Sequence, residues 1–96
     1  MRAYLLTIGG EKQEATPYPR GVDMTPKTFL PEQVEDLVGG YYEVINLTEE
    51  VVMVVREDEE DQMYNPKATE LYNKAVPDEP RVIVGNVLIC ESGMVE

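Results

Sequence analysis

The five consecutive apolar residues Val51-Val-Met-Val-Val55 constrain this chain more than any other stretch. The run is dominated by β-branched side chains, which favour an extended backbone. Side chains of a strand alternate between the two faces of its sheet, so an apolar run without alternation is apolar on both faces. Such a strand is expected to be central and covered on both sides. A second apolar run, Arg81-Val-Ile-Val-Gly-Asn-Val-Leu-Ile-Cys90, reads as the last strand, with Gly85-Asn86 set in its middle. That dipeptide is either a polar hook for a ligand or a device that bends the strand. A glycine inside a strand pattern marks a bulge or a close approach, and a buried amide is usually satisfied by protein groups.

The remaining elements follow from periodicity and punctuation. Arg2 to Ile8 reads as a first strand, and Gly9-Gly10 as a turn. Glu11 to Thr16 is polar, so as a return strand it would lie at an exposed edge. Thr16-Pro-Tyr-Pro-Arg-Gly21 opens a loop that runs to Lys27, because two prolines remove backbone donors. A helix is expected from Phe29 to Val38, with Leu30, Val34, Leu37 and Val38 on one face, Thr28 as its cap, and Gly39-Gly40 ending it. Tyr41 to Leu47 and Val51 to Arg56 form a hairpin over Thr48-Glu-Glu50. Asn65-Pro66 opens a second helix whose apolar face is Ala68, Leu71, Tyr72 and Ala75, stopped by Pro77-Asp-Glu-Pro80. The tail from Glu91 to Glu96 is expected to be loosely held. The sum is one small α+β domain over residues 1–96: an antiparallel or mixed sheet of four to five strands with two short helices, in the order β(β)αββαβ. Without the polar second strand, that order matches the split βαβ pattern of ferredoxin-like folds.

Charge then bounds the partners. Nineteen acidic residues stand against eight basic ones, for a net charge of -11. Such a surface repels nucleic acid and favours partners with basic surfaces, or cations. The chain has no His, which removes the usual neutral-pH general base and the commonest metal ligand. Carboxylate pairs, or a Ser or Thr with Lys, would have to carry any catalysis, and neither has a local motif here. No catalytic residue, metal ligand or cofactor is therefore assigned. Its one cysteine, Cys90, forms no internal disulfide and reads as a small core residue in a reducing compartment. The apolar start, Met1 to Ile8, is too short for a signal peptide or a membrane span, so a cytoplasmic protein is expected.

Four segments, in order, resemble a family described only as domain of unknown function 3846, whose members occur in phages, plasmids and other mobile elements. They are Met1 to Ile8, Gln33-Val-Glu-Asp-Leu-Val-Gly-Gly-Tyr-Tyr42, Asn65-Pro-Lys-Ala-Thr69 and Ile83-Val-Gly-Asn-Val-Leu-Ile89. Together they span nearly the whole chain. The loop from Gly9 to Lys27 and the acidic run after Arg56 depart from the pattern. The resemblance carries over no catalytic residue. It implies an origin in a mobile element and a role on host machinery or on other elements.

Candidate site residues fall into two sets. The run Glu57-Asp58-Glu59-Glu60-Asp61 lacks the alternating ligands and central glycine of a calcium loop. Its density of carboxylates resembles that of a nucleic-acid backbone, so it is a candidate surface for a host protein with basic side chains. The bland alternative is a solvated connector. The second set is Lys12, Tyr18, Arg20 and Lys27 around the proline-rich loop, with Tyr41, Tyr42 and Asn86. Long unstructured loops in small domains are often functional, so this set could grip a nucleotide-like anion. Tyr41 and Tyr42 point to opposite faces of a strand, one toward the core and one toward solvent. Two functions stay open: a non-enzymatic protein that binds a host protein, in a counter-defence or regulatory role that includes mimicry of nucleic-acid charge, or a small-ligand binder that sequesters a nucleotide-like anion. An edge strand also invites homodimerisation.

Overall fold

The computed structural model describes residues 3–19, 22, 26–60 and 62–95. Five strands form one sheet: β1 (Ala3–Leu6), β2 (Lys12–Ala15), β3 (Tyr42–Asn46), β4 (Val51–Arg56) and β5 (Val87–Glu91). Their spatial order is β2-β1-β5-β4-β3, and every neighbouring pair is antiparallel. Two helices complete the fold, α1 (Pro31–Val38) and α2 (Pro66–Ala75), followed by a short 3-10 turn at Ser92–Met94.

The unalternating run in β4 is covered on both faces, as its composition requires. Val52 and Val54 face one core with Val34 and Val38 of α1. Met53 and Val55 face a second core with Ala68 and Tyr72 of α2. Strand β5 does the same: Leu88 and Cys90 enter the first core, Val87 and Ile89 the second. The register sets Val54 against Leu88 and Met53 against Ile89, so the two apolar strands build both cores together. Each such buried aliphatic side chain contributes about 1.5–3 kcal/mol. The central position belongs to β5, with β4 beside it. Both helical faces of the sheet are thus used, one helix to each.

That arrangement corrects the ferredoxin-like expectation. A split βαβ unit joins parallel strands across an intervening one. Here α2 leaves β4 and the chain returns as β5, directly beside β4 and antiparallel to it. The reversal is made by the segment between Val76 and Asn86. Asn73 Nδ2 donates to the Arg81 carbonyl at 3.1 Å, and the Arg81 amide donates to Asn73 Oδ1 at 2.9 Å. The Ile83 amide donates to Thr69 Oγ1 at 2.9 Å, and that hydroxyl donates to the Ile83 carbonyl at 3.2 Å. Side chains of α2 thus hold the incoming chain along the helix before it joins the sheet.

Three boundaries also differ from expectation. The last strand begins at Val87 rather than at Arg81, because Gly85 adopts φ +76 and breaks the ladder. A Cβ at Gly85 would lie 3.0 Å from Gln62 Oε1, so both its conformation and its surroundings call for glycine. Residues before it pair instead with the stretch preceding α2, through a Tyr64–Val84 bridge. Helix α1 starts at Pro31 with Leu30 as its uncapped N-terminal flank, not at Phe29 with Thr28. Phe29 is occupied elsewhere: it bridges Val95, and its amide donates to the Met94 carbonyl at 2.8 Å. The same contacts correct the expectation of a loose tail, since Met94 and Val95 pack on the first core. The polar second strand does form, as β2 at the sheet edge, with only Ala15 buried.

Candidate functional site

The acidic segment joins β4 to α2. Glu57, Asp58, Glu59 and Glu60 are all exposed. Asp61 lies outside the described residues. The segment is anchored at its start by the Glu57 amide, which donates to the Tyr41 carbonyl at 2.8 Å. Asp58 Oδ1 accepts from the Glu60 amide at 3.0 Å and shapes the turn. Glu59 lies 3.4 Å from the Arg81 guanidinium, which also pairs with Glu43 of β3. Those carboxylates, Glu43 first, raise the Arg81 pKa against the opposing effect of burial. Among the described residues, Glu57 and Glu60 have no ion-pair partner.

Tyr41 joins this surface. It is 78% exposed and lines a shallow hollow of about 350 Å³ with Gly40, Arg56, Glu57 and Asp58. Its neighbour Tyr42 turns inward and packs against the first core, so the two tyrosines divide as strand alternation dictates. Burial, then the Glu35 and Glu32 carboxylates, raises the Tyr42 pKa. Gly39, at φ +92, caps α1 in the left-handed conformation and turns the chain into β3. Arg56 lies across the glycine pair, close enough that a Cβ at Gly40 would meet its Nε at 3.3 Å. Beyond the acidic segment, Met63, Tyr64 and Val82 are exposed as well. Tyr64 opposes Val84 in the bridge, and Val82 follows Arg81 directly. Carboxylates and exposed apolar side chains therefore share one end of the molecule.

The second expected set is dispersed. Tyr18 is exposed, and its amide donates to Gln33 Oε1 at 3.0 Å. Gln33 Nε2 in turn donates to the Thr16 carbonyl at 2.7 Å, so a buried amide of α1 clamps the start of the proline-rich loop. Arg20 lies outside the described residues, and Lys27 is exposed. Asn86 Oδ1 accepts from the Ile8 amide at 3.0 Å, which ties the entry of β5 to the end of β1. The Gly85-Asn86 pair is thus engaged by the protein's own backbone.

Lys12 stands in different company. It lines a cleft between β1, the turn after it and α2, and none of the other described members of its expected set does. Its companions there, Lys67 and Lys74 of α2, carry no local sequence signal: seven residues apart on a helix, they read as ordinary exposed lysines. The helical spacing that places them on one side was legible, but their meeting with Lys12 needs the sheet order. Cys90 is buried, and burial, with the Glu91 carboxylate, pushes its thiol up to about 11. Among the described residues no three acidic or thiol side chains gather as metal ligands, and no helix is long and apolar enough to cross a membrane.

No family model, curated protein or solved structure matches this chain.

Proposed function

We propose that this protein acts by binding rather than by catalysis, and that its partner is a protein with a basic surface. The observation that carries this reading is the setting of Tyr41, an exposed aromatic side chain beside Glu57 and Asp58. Exposed aromatics are favoured anchors at interfaces, and flanking carboxylates select Arg and Lys on the other side. A cationic partner side chain laid on the Tyr41 ring would gain cation–π attraction as well as charge pairing. Met63, Tyr64 and Val82 add apolar area to the same end. The net charge of -11 supplies long-range attraction to such a partner. In its concrete form the partner is a host protein, and the role is counter-defence or regulation on behalf of a phage or other mobile element. The dense carboxylates could then stand in for nucleic-acid charge. That origin rests on the sequence resemblance alone.

The test compares capture of a partner from a host lysate by the wild-type protein, by Tyr41→Ala, and by the quadruple variant E57Q/D58N/E59Q/E60Q. A partner held at low salt, released at high salt and lost by both variants supports the reading. A partner retained equally by the quadruple variant, or held regardless of salt, refutes it.

A further inference from the structure

Three of the chain's eight basic residues, Lys12, Lys67 and Lys74, line one cleft of about 370 Å³. Glu70 is the one acidic side chain in the lining, and the ring of Tyr4 and the side chain of Leu71 contribute apolar wall. Surface lysines on an exposed helix are commonplace, so their number is not the point. The point is where they come together: one cleft holds all three with a single acid in its lining, and among the described residues none of them makes an ion pair with Glu70. Like charges gathered in a cleft with apolar walls concentrate a positive potential, and an anion relieves their repulsion.

The cleft is also built rather than incidental. Gly10 lies in the turn between β1 and β2, and a Cβ there would meet Lys67 Cγ at 3.3 Å. The stem of Lys67 therefore runs over bare backbone at Gly10. Lys12 Nζ sits 5.1 Å from the centre of the Tyr4 ring, within the range of cation–π attraction. Burial raises the Tyr4 pKa. Tyr4 and Leu71 both pack against the second core, which makes that wall part of the folded frame.

We propose that this cleft binds a small organic phosphate, with the phosphate groups on Lys12, Lys67 and Lys74 and the organic part against Tyr4 and Leu71. Pockets for small ligands span about 300–1,000 Å³. A volume at the small end of that range suits a ligand no larger than a nucleotide. Ammonium groups bind phosphate as mobile point charges, which suits a cleft without arginine. The site lies apart from Tyr41 and the acidic segment, and it does not depend on a protein partner.

The experiment is isothermal titration calorimetry with ATP and with inorganic pyrophosphate, in the absence of divalent metal. The proteins are the wild type, K67Q/K74Q, K12Q and the control K27Q, which removes a lysine outside the cleft. Circular dichroism checks that each is folded. Binding of ATP that weakens by about tenfold or more in K67Q/K74Q, weakens in K12Q and is unchanged in K27Q is the expected result. ATP should also bind more tightly than pyrophosphate, reflecting the apolar wall. Absence of binding, or equal weakening in K27Q, overturns the site. Equal affinity for the two probes overturns the role given to Tyr4 and Leu71.

Discussion

Asn65 Nδ2 donates to the Gly85 carbonyl at 2.8 Å in the fully buried interior of the fold. The same nitrogen donates to the Leu6 carbonyl at 3.1 Å, while Asn65 Oδ1 accepts from the Ala68 amide at 3.0 Å and caps α2. One amide thus joins the end of β1, the turn before β5 and the start of α2. Its functional groups are thus all spent on backbone groups of other parts of the chain. Replacing Asn65 by Ala removes the cap and two buried hydrogen bonds to backbone carbonyls. A loss of about 2–4 kcal/mol is expected. Asn65→Asp keeps the cap but sets a carboxylate against both carbonyl oxygens, so it should be no more stable than the alanine variant. Urea denaturation measures both. A loss in Asn65→Ala below about 0.5 kcal/mol, the scale of an ordinary surface change, would show that the bonds do not hold these elements together.

Gln33 plays a similar part for the proline-rich loop. Its amide makes reciprocal bonds to Thr16 and Tyr18 from a buried position on α1. Gln33→Ala should destabilise the protein by about 1–2 kcal/mol and expose the loop to proteases. Limited proteolysis followed by mass spectrometry would read this directly, as faster cleavage between residues 16 and 27. Unchanged cleavage kinetics would mean that the loop is held by other contacts.

Most of the fold was readable because its signals were local or compositional. Val51–Val55 announced a strand covered twice, Asn65-Pro66 a capped helix start, and Gly39 a left-handed helix end; each is found. What could not be read was set by contacts between distant residues. Nothing near Val84 signals that it pairs with Tyr64, so the apolar run alone predicts a last strand longer than the one formed. Nothing in the tail signals that Val95 reaches Phe29, so the sequence alone predicts neither the packed tail nor the start of α1 after Phe29. Strand order escaped for the same reason, and with it the cleft. Lys12 and Lys67 are far apart in the chain and line one cleft because β2 pairs with β1 and α2 packs on the same core as Leu6. The acidic segment was legible as charge, whereas its juxtaposition with Tyr41 depends on the pairing of β3 with β4.

Arg81 offers a test of how the acidic face is organised. Its guanidinium joins Glu43 and Glu59 at a partly exposed position. Exposed ion pairs are worth about 0–1 kcal/mol, because solvent and salt screen them. Its backbone bonds to Asn73 survive any side-chain change. Arg81→Gln should therefore lower stability by less than about 1 kcal/mol. It should strengthen, not weaken, binding to a basic partner, because Glu43 and Glu59 are released. Thermal melts and partner affinity measured side by side check both halves. Weaker binding would place Arg81 itself in the interface and remove Glu59 from it.

Cys90 gives the clearest pH dependence. Burial, with a smaller effect of the Glu91 carboxylate, raises its thiol from an ordinary 9.0 to about 11. In the unfolded chain the thiol ionises near its ordinary value. Above that pH the unfolded state has lost a proton that the folded state keeps, so alkaline pH favours unfolding. The stabilisation is whole below pH 9 and is lost as pH rises toward 11. The effect reaches on the order of 2–3 kcal/mol across that window. Tyrosines also ionise there, so the quantity to measure is the difference in pH slope between wild type and Cys90→Ala. The alanine variant should lose some packing stability at every pH and show a shallower decline between pH 9 and 11. A thiol so placed should also resist iodoacetamide at pH 8 in the native protein and react once urea unfolds it. Rapid native alkylation, or parallel pH slopes in the two proteins, would show that the thiol reaches solvent without unfolding.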